Sequence, residues 1–182
     1  SVTIKSFQIA KYEVTQELWK VIMGVNPNKL KGNNLPIQKI RWGEAQQFIK
    51  KLNNLTGKNY RLPSESEWEF VARGGNKSQG NKFAGINIDS YLGKYANFCI
   101  YDFGTGGCEN GTDNVIPVGS LLPNELGIYD MSGNVAEWCQ DKFHKNYKNA
   151  PTDGSAWETG KSLDRVLRGG GYFSDARGCQ VT

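Results

Sequence analysis

The chain has 182 residues, with 22 lysines and arginines against 18 aspartates and glutamates, a length that suits one domain with its own core. The net charge of +4 is spread without a long block of one sign, so no nucleic-acid or membrane-surface footprint is present. No apolar run approaches the roughly 20 residues needed to cross a bilayer, and the amino-terminal SVTIKSFQIAKYEV has no signal-peptide core. Twenty-two glycines beside 12% aromatics suit irregular loops pinned by large rings better than a helical bundle. Cys99, Cys108, Cys139 and Cys179 lack CxxC spacing, and with His144 as the one histidine they do not make a usual zinc site or iron cluster. Cys99 and Cys108 bracket a glycine-rich loop; they either form a disulfide or remain buried thiols in a reducing compartment, and spacing does not choose between these.

In chain order, the alternation in Val2 to Ile9 predicts a strand. Thr15 then caps a short helix that carries Leu18, Trp19 and Ile22 on one side. Leu35 to Ile40 is a second extended piece, and Ala45, Phe48, Ile49 and Leu52 recur at helical spacing before Gly57 closes the segment. Ser64 and Glu67 form a capping box ahead of Trp68, Val71 and Ala72, with Gly74 as the stop. From Asn76 to Val115 periodicity is lost, which marks a functional loop, a metal-ordered loop or disorder. The tetrapeptide YANF (95–98) and the polar ENGTDN (109–114) argue against plain disorder. The stretch IYDMSGNVAEW (128–138) is too irregular for a helix and too rich in oxygen ligands for an ordinary strand, and so predicts a folded loop leading into a short strand at Trp138 to Asp141. A second loop, Lys142 to Leu163, precedes the final segment RVLRGGGYFSDARGCQVT (165–182). Helices early and short strands with long loops late give an α+β domain spanning 1–182.

Taken in order and spacing, EVTQELW, IRWGEAQQFIKKL, TGKNYRLPSESEWEFVARGG, YANF, IPVGSLLPNELGIYDMSGNVAEWCQD and RVLRGGGYFSDARGC resemble the formylglycine-generating-enzyme, or sulfatase-modifying-factor, family. The resemblance covers nearly the whole chain. It implies a single C-type-lectin-like domain with two early helices, a small twisted antiparallel sheet and much irregular loop. It also implies a further segment of some tens of residues ending in a strand that reads GFR, which this sequence, ending at Thr182, does not include.

The namesake enzymes oxidise a substrate cysteine to formylglycine, chemistry that resembles a copper-dependent reaction at two cysteines five positions apart. Cys179 corresponds to the second of these, and Ser174 stands at the first. A serine hydroxyl does not supply the soft thiolate that a cuprous ion prefers, so the two-sulfur site is not assembled. Relatives that form a carbon–sulfur bond use a histidine-rich iron site, which one histidine does not provide. The resemblance then leaves the scaffold, which other relatives use for binding, among them the variable proteins of diversity-generating retroelements. In those, the changing segment follows a motif resembling RVLRGG on an exposed face. Gly171, Tyr172, Phe173, Ser174, Asp175, Gly178 and Gln180 occupy that segment here, a mix of stiff amphipathic rings and adaptable polar groups found in evolved binding loops. The competing reading has Tyr172 and Phe173 alternate into the core and onto the surface.

For the 128–138 loop, Asp130 and Glu137 offer hard carboxylate oxygens, and the carbonyls of Gly133 and Val135 can turn inward, a set suited to calcium. The resemblance implies a calcium ion here and a second one where Asn97 and Phe98 meet Asp113 or a neighbour of it. A buried ion pair of Glu137 with Arg168 is the competing reading. The expected function is a non-catalytic domain that binds a protein or cell-surface ligand, bacterial or phage in type, at a cell surface or secreted rather than cytoplasmic, with structural calcium and neither nucleic acid nor an inserted membrane segment as partner. Its rivals are a formylglycine-generating oxidase using copper through Cys179, and a purely structural domain of a larger assembly.

Overall fold

The computed structural model describes residues 2–102, 107–108 and 114–182. Three α-helices come first rather than two: α1 (Gln16–Met23), α2 (Trp42–Thr56) and α3 (Glu65–Ala72). Each begins at a cap, and two of the three are announced by the sequence. The Thr15 hydroxyl accepts the Leu18 N–H at 3.2 Å, the Arg41 N–H donates to Glu44 at 2.7 Å, and Ser64 and Glu67 bond one another's backbone N–H at 3.1 and 2.9 Å. Gly24 and Gly57 close α1 and α2 in the left-handed region, where a Cβ is strained.

Trp19 of α1 stacks on Phe48 of α2, with ring centroids 5.1 Å apart and planes 6° from parallel, and Ile37 completes this small core. Leu18, expected on the inner side, is exposed, and Gln16 is buried in its place. The reason is polar: the Gln16 amide donates to the carbonyls of Leu30 and Pro36 and accepts from Asn26 and Gly32, which ties the 24–36 loop to the helix.

Two short antiparallel ladders follow. β1 (Tyr101–Asp102) pairs with β2 (Gly107–Cys108), and β3 (Glu137–Lys142) pairs with β4 (Arg165–Arg168), placing Glu137 opposite Arg168 and Trp138 opposite Leu167 with a bulge before Lys142. Val2 to Ile9 joins no ladder. Its Thr3 N–H meets the Thr152 carbonyl at 2.8 Å while Phe7 and Ile9 pack on the main core, so the alternation reports packing and not strand pairing. That core holds Trp68, Val71 and Ala72 of α3 against Met131, Cys139, Val166 and Val181.

The described part of the aperiodic 76–115 stretch is not a bare loop. It contributes Phe83, Leu92, Ala96 and Phe98 to a core of its own, completed by Cys179. Leu92 lies in a 3₁₀ turn at Asp89–Lys94 and the other three in irregular chain, so their spacing fits neither a helix nor a strand period. Cys99 and Cys108 are joined as a disulfide, which settles the choice left open by spacing.

Candidate functional site

The 128–138 loop is a loop, as expected, up to Glu137. Asp130, Gly133 and Asn134 all have positive φ, at 60°, 83° and 62°, a reversal that Asp and Asn tolerate better than other side chains and that Gly133 alone fits, since a Cβ there would collide with the Asn97 carbonyl. Asn134 is the tie at its centre. Only 1% exposed, it donates through Nδ2 to Glu13 at 2.7 Å and to the Ile116 carbonyl at 3.2 Å. Its Oδ1 accepts the Ile116 N–H and the Asn97 amide, its own N–H meets the Asn97 carbonyl and its carbonyl accepts the Tyr172 N–H at 2.9 Å. A loop with no ladder partner must find its hydrogen bonds in this way.

Three carboxylates face this loop. Glu13, 8% exposed, accepts the Val135 N–H at 3.0 Å through its other oxygen. Asp130, 4% exposed, accepts the Gly119 N–H at 2.7 Å, and Glu137 accepts Trp68 Nε1 at 2.6 Å. Burial raises Glu13 well above its usual value, the negative charges of Asp130 and Glu137 raise it further, and the bonds from Val135 and Asn134 only partly oppose this. Burial also raises Asp130 and takes Glu137 up to about 7, against the Trp68 hydrogen bond and with Asp130 adding to it. Among the described residues no lysine, arginine or histidine forms an ion pair with any of them. Arg168, opposite Glu137 in the ladder, instead approaches Glu65 at 3.7 Å and Glu69 at 3.3 Å, so the buried Glu137–Arg168 pair is not formed.

Asp130 and Glu137 offer hard carboxyl oxygens on an irregular backbone whose carbonyls at Gly133 and Val135 are not used in the ladder, the donor types that a calcium ion takes. Among the described residues no three His, Cys, Asp or Glu side chains converge as a ligand group, so an ion here would draw on backbone carbonyls beside Asp130 and Glu137. Of the second expected set, Asn97 and Phe98 are among the described residues. The Asn97 amide donates to Asn114 and Asn134, making it a cross-tie to the first loop. Phe98 lies with its ring in the second core, and Asp113 falls outside the described residues.

The 171–180 segment rests on that loop. Gly133 N–H bonds the Gly169 carbonyl, Tyr172 N–H bonds the Asn134 carbonyl, and the Ser132 hydroxyl bonds the Cys179 carbonyl at 2.8 Å. A tight turn follows: Ser174 N–H donates to the Gly171 carbonyl, the Ser174 hydroxyl accepts the Gly171 N–H at 3.0 Å, and the Ser174 carbonyl accepts the Cys99 N–H. Asp175 accepts the Gly178 N–H at 2.9 Å. Phe173 projects into solvent, 69% exposed, in edge contact with the half-buried Tyr172, so Phe173 is not a core residue. Asp175 and Gly178 are also exposed, Ser174 and Gln180 half-buried, and Gly171 buried. Cys179 is wholly buried, and burial with the nearby Asp175 raises its thiol to about 12. A separate cleft of about 680 Å³, walled by α2, the Arg61–Glu67 ion pair and residues 154–158, shares no lining residue with this face.

The match to the sulfatase-modifying factor enzyme 1-like domain runs over residues 1–182. The chain belongs to that family. Over its full length it is 31% identical to "Chaperone protein LppX" of Paenibacillus barcinonensis, covering 75% of that protein. It is 33% identical to a formylglycine-generating enzyme of Streptomyces coelicolor over 77% of this chain, but spans only 43% of that enzyme's length. Treponema denticola variable protein 1 superposes with a TM-score of 0.86 at 27% identity, over 99% of this chain and 78% of the other. The architecture is accordingly the C-type-lectin-like one that the family shares.

Glu13 and Asn134 are the residues that sequence reasoning missed. Glu13 sits 121 positions from Asn134 along the chain, just before the α1 cap, where an acid reads as solvated surface. The available signal was its place beside Val14, which packs against the Trp19–Phe48 core.

Proposed function

We propose that this domain is a non-catalytic binding module whose contact surface is the 171–180 segment, with a structural calcium ion on the 130–137 loop. The observation that carries the reading is the state of the two positions where the enzymes resembled here have cysteines. Ser174 spends its hydroxyl on the Gly171 N–H, and Cys179 is a sealed core thiol raised to about 12, far from the thiolate a metal or an oxidation needs. Phe173 and Tyr172, by contrast, present an aromatic pair beside exposed Asp175, the composition of a contact surface. The fold similarity to a protein named as variable supports the same reading, and a retroelement-diversified role for residues 171–180 is its finer form. The partner would be a protein or cell-surface ligand.

The similarity to a formylglycine-generating enzyme supports the alternative, copper-dependent oxidation at Cys179. Cuprous ion titrated into the reduced protein separates the two: a binding module shows no tight two-thiolate site, whereas tight binding that disappears in Cys179→Ser would replace it with the oxidase. Once a partner is captured, Phe173→Ala and Tyr172→Ala are expected to weaken binding by ~2 kcal/mol or more while leaving the melt nearly unchanged. A core aromatic would instead lose ~3–5 kcal/mol of stability with affinity per folded molecule intact.

A further inference from the structure

We infer that Glu13 is a positioning residue of the binding face, and that through it the carboxylate loop at 130–137 controls the shape of the 171–180 segment. The inference rests on the calcium and binding-face readings above and adds a coupling between them. One peptide group links the two. The N–H of Val135 is held by Glu13 at 3.0 Å, and the carbonyl of the same peptide, belonging to Asn134, accepts the Tyr172 N–H at 2.9 Å. A peptide is planar, so fixing its N–H fixes the direction of its carbonyl. Glu13 takes hold a second time through Asn134 Nδ2 at 2.7 Å, which prevents the residue from turning about its own axis.

Two further bonds tie the residues just before this peptide to the same segment, Gly133 N–H to the Gly169 carbonyl and Ser132 hydroxyl to the Cys179 carbonyl. The segment carrying Tyr172 and Phe173 therefore has its floor in the loop that holds Asp130 and Glu137. A carbon added at Gly171 would meet the Asn134 carbonyl at 3.4 Å and the Phe173 ring at 3.1 Å, so the exposed aromatic and the loop carbonyl share one small space. Displacing the Asn134–Val135 peptide would move the Tyr172 backbone directly.

Asp130 and Glu137 lie on either side of the Asn134–Val135 peptide in the loop, and that peptide is the one Glu13 holds. A divalent ion taken by Asp130 and Glu137 with the Gly133 and Val135 carbonyls would hold the same stretch of backbone that Glu13 grips from outside the loop. Any ligand that favours the ordered loop then favours the ordered face, and the coupling is reciprocal.

The test is backbone amide hydrogen exchange, read at Tyr172, at Cys99 (which bonds the Ser174 carbonyl) and at Gly133, with calcium or with a chelator, alongside calorimetric titration with calcium. Calcium at about 100 times its dissociation constant should slow exchange by up to ~100-fold at all three amides in the wild-type protein. In Glu13→Gln, which keeps the shape but offers one acceptor oxygen in place of two, Gly133 should retain its response while the Tyr172 and Cys99 responses fall at least ~10-fold, because only the tie to the peptide has been lost. If Glu13→Gln does not fold, Glu13→Asp, which keeps the carboxylate one methylene short, is expected to give the same pattern more weakly. Calcium protection at Gly133 with none at Tyr172 in the wild type, or a Tyr172 response unchanged in both variants, overturns the coupling. Absence of calorimetric heat and of protection at every amide overturns it by removing the calcium reading itself, a pattern distinct from the other two.

Discussion

The α1–α2 pair and the 128–138 loop are both held in one conformation, by opposite means. In the helices the backbone satisfies itself, and side chains such as Trp19 and Phe48 are left to bury area. In the loop the backbone has no ladder before Glu137, so its bonds are scattered: the Asn97 and Gly169 carbonyls take two of its N–H groups, Glu13 takes the Val135 N–H, and the Asn134 side chain ties in Ile116 and Asn97. The comparison teaches that a buried asparagine in an irregular region can carry as much of the fold as a core aromatic in a regular one. An orphaned buried donor or acceptor costs its full desolvation, just as a cavity costs its lost contacts.

The largest expected effect tests that equivalence directly. Phe48→Ala should lose ~3–5 kcal/mol by urea denaturation, as large-to-small core changes do. Asn134→Ala should lose about 3 kcal/mol or more, since it strands the Ile116 N–H and one oxygen of Glu13 at ~1–3 kcal/mol each. An Asn134→Ala protein within about 0.5 kcal/mol of wild type, the range of an ordinary surface substitution, would break the comparison. The next effect is confined to the loop side. If the loop holds calcium, saturating ion at about 100 times its dissociation constant adds ~2.7 kcal/mol, a chelator lowers the melting temperature, and Glu137→Ala erases the difference. Identical melts with and without chelator, in protein shown to begin metal-free, would end the calcium reading.

The smallest effects sharpen the helical side. Thr15→Ala removes an exposed cap and should cost ~0.5–1 kcal/mol. Ser64→Ala should cost more, about 1–2 kcal/mol, because the same hydroxyl also donates to the Gly154 carbonyl at 2.7 Å in a buried site. Equal losses at the two caps would show that the tie to Gly154 adds nothing to α3.

The sequence by itself determined the helices and their ends, since caps, glycine stops and 3.6-residue spacing are local physics: Thr15, the Ser64–Glu67 box and Gly57 all act within a few residues of their own position. Local signals also located the loop at 128–138 and the strand after it, because Asp, Gly and Asn tolerate the left-handed backbone found there. Leu18 and Gln16 mark where local reading ended, for helical spacing takes no account of a glutamine recruited to bond a distant loop. The same limit hid the core formed by Phe83, Leu92, Ala96 and Phe98, whose spacing follows irregular chain with a single 3₁₀ turn at Leu92. Only the tertiary structure decided that Phe173 faces solvent while Cys179 is sealed, that Arg168 turns to Glu65 and Glu69, and that Glu13 reaches across the chain to hold Asn134 and Val135. Burial and long-range partnership belong to the packed chain as a whole, and no window of neighbouring residues contains them.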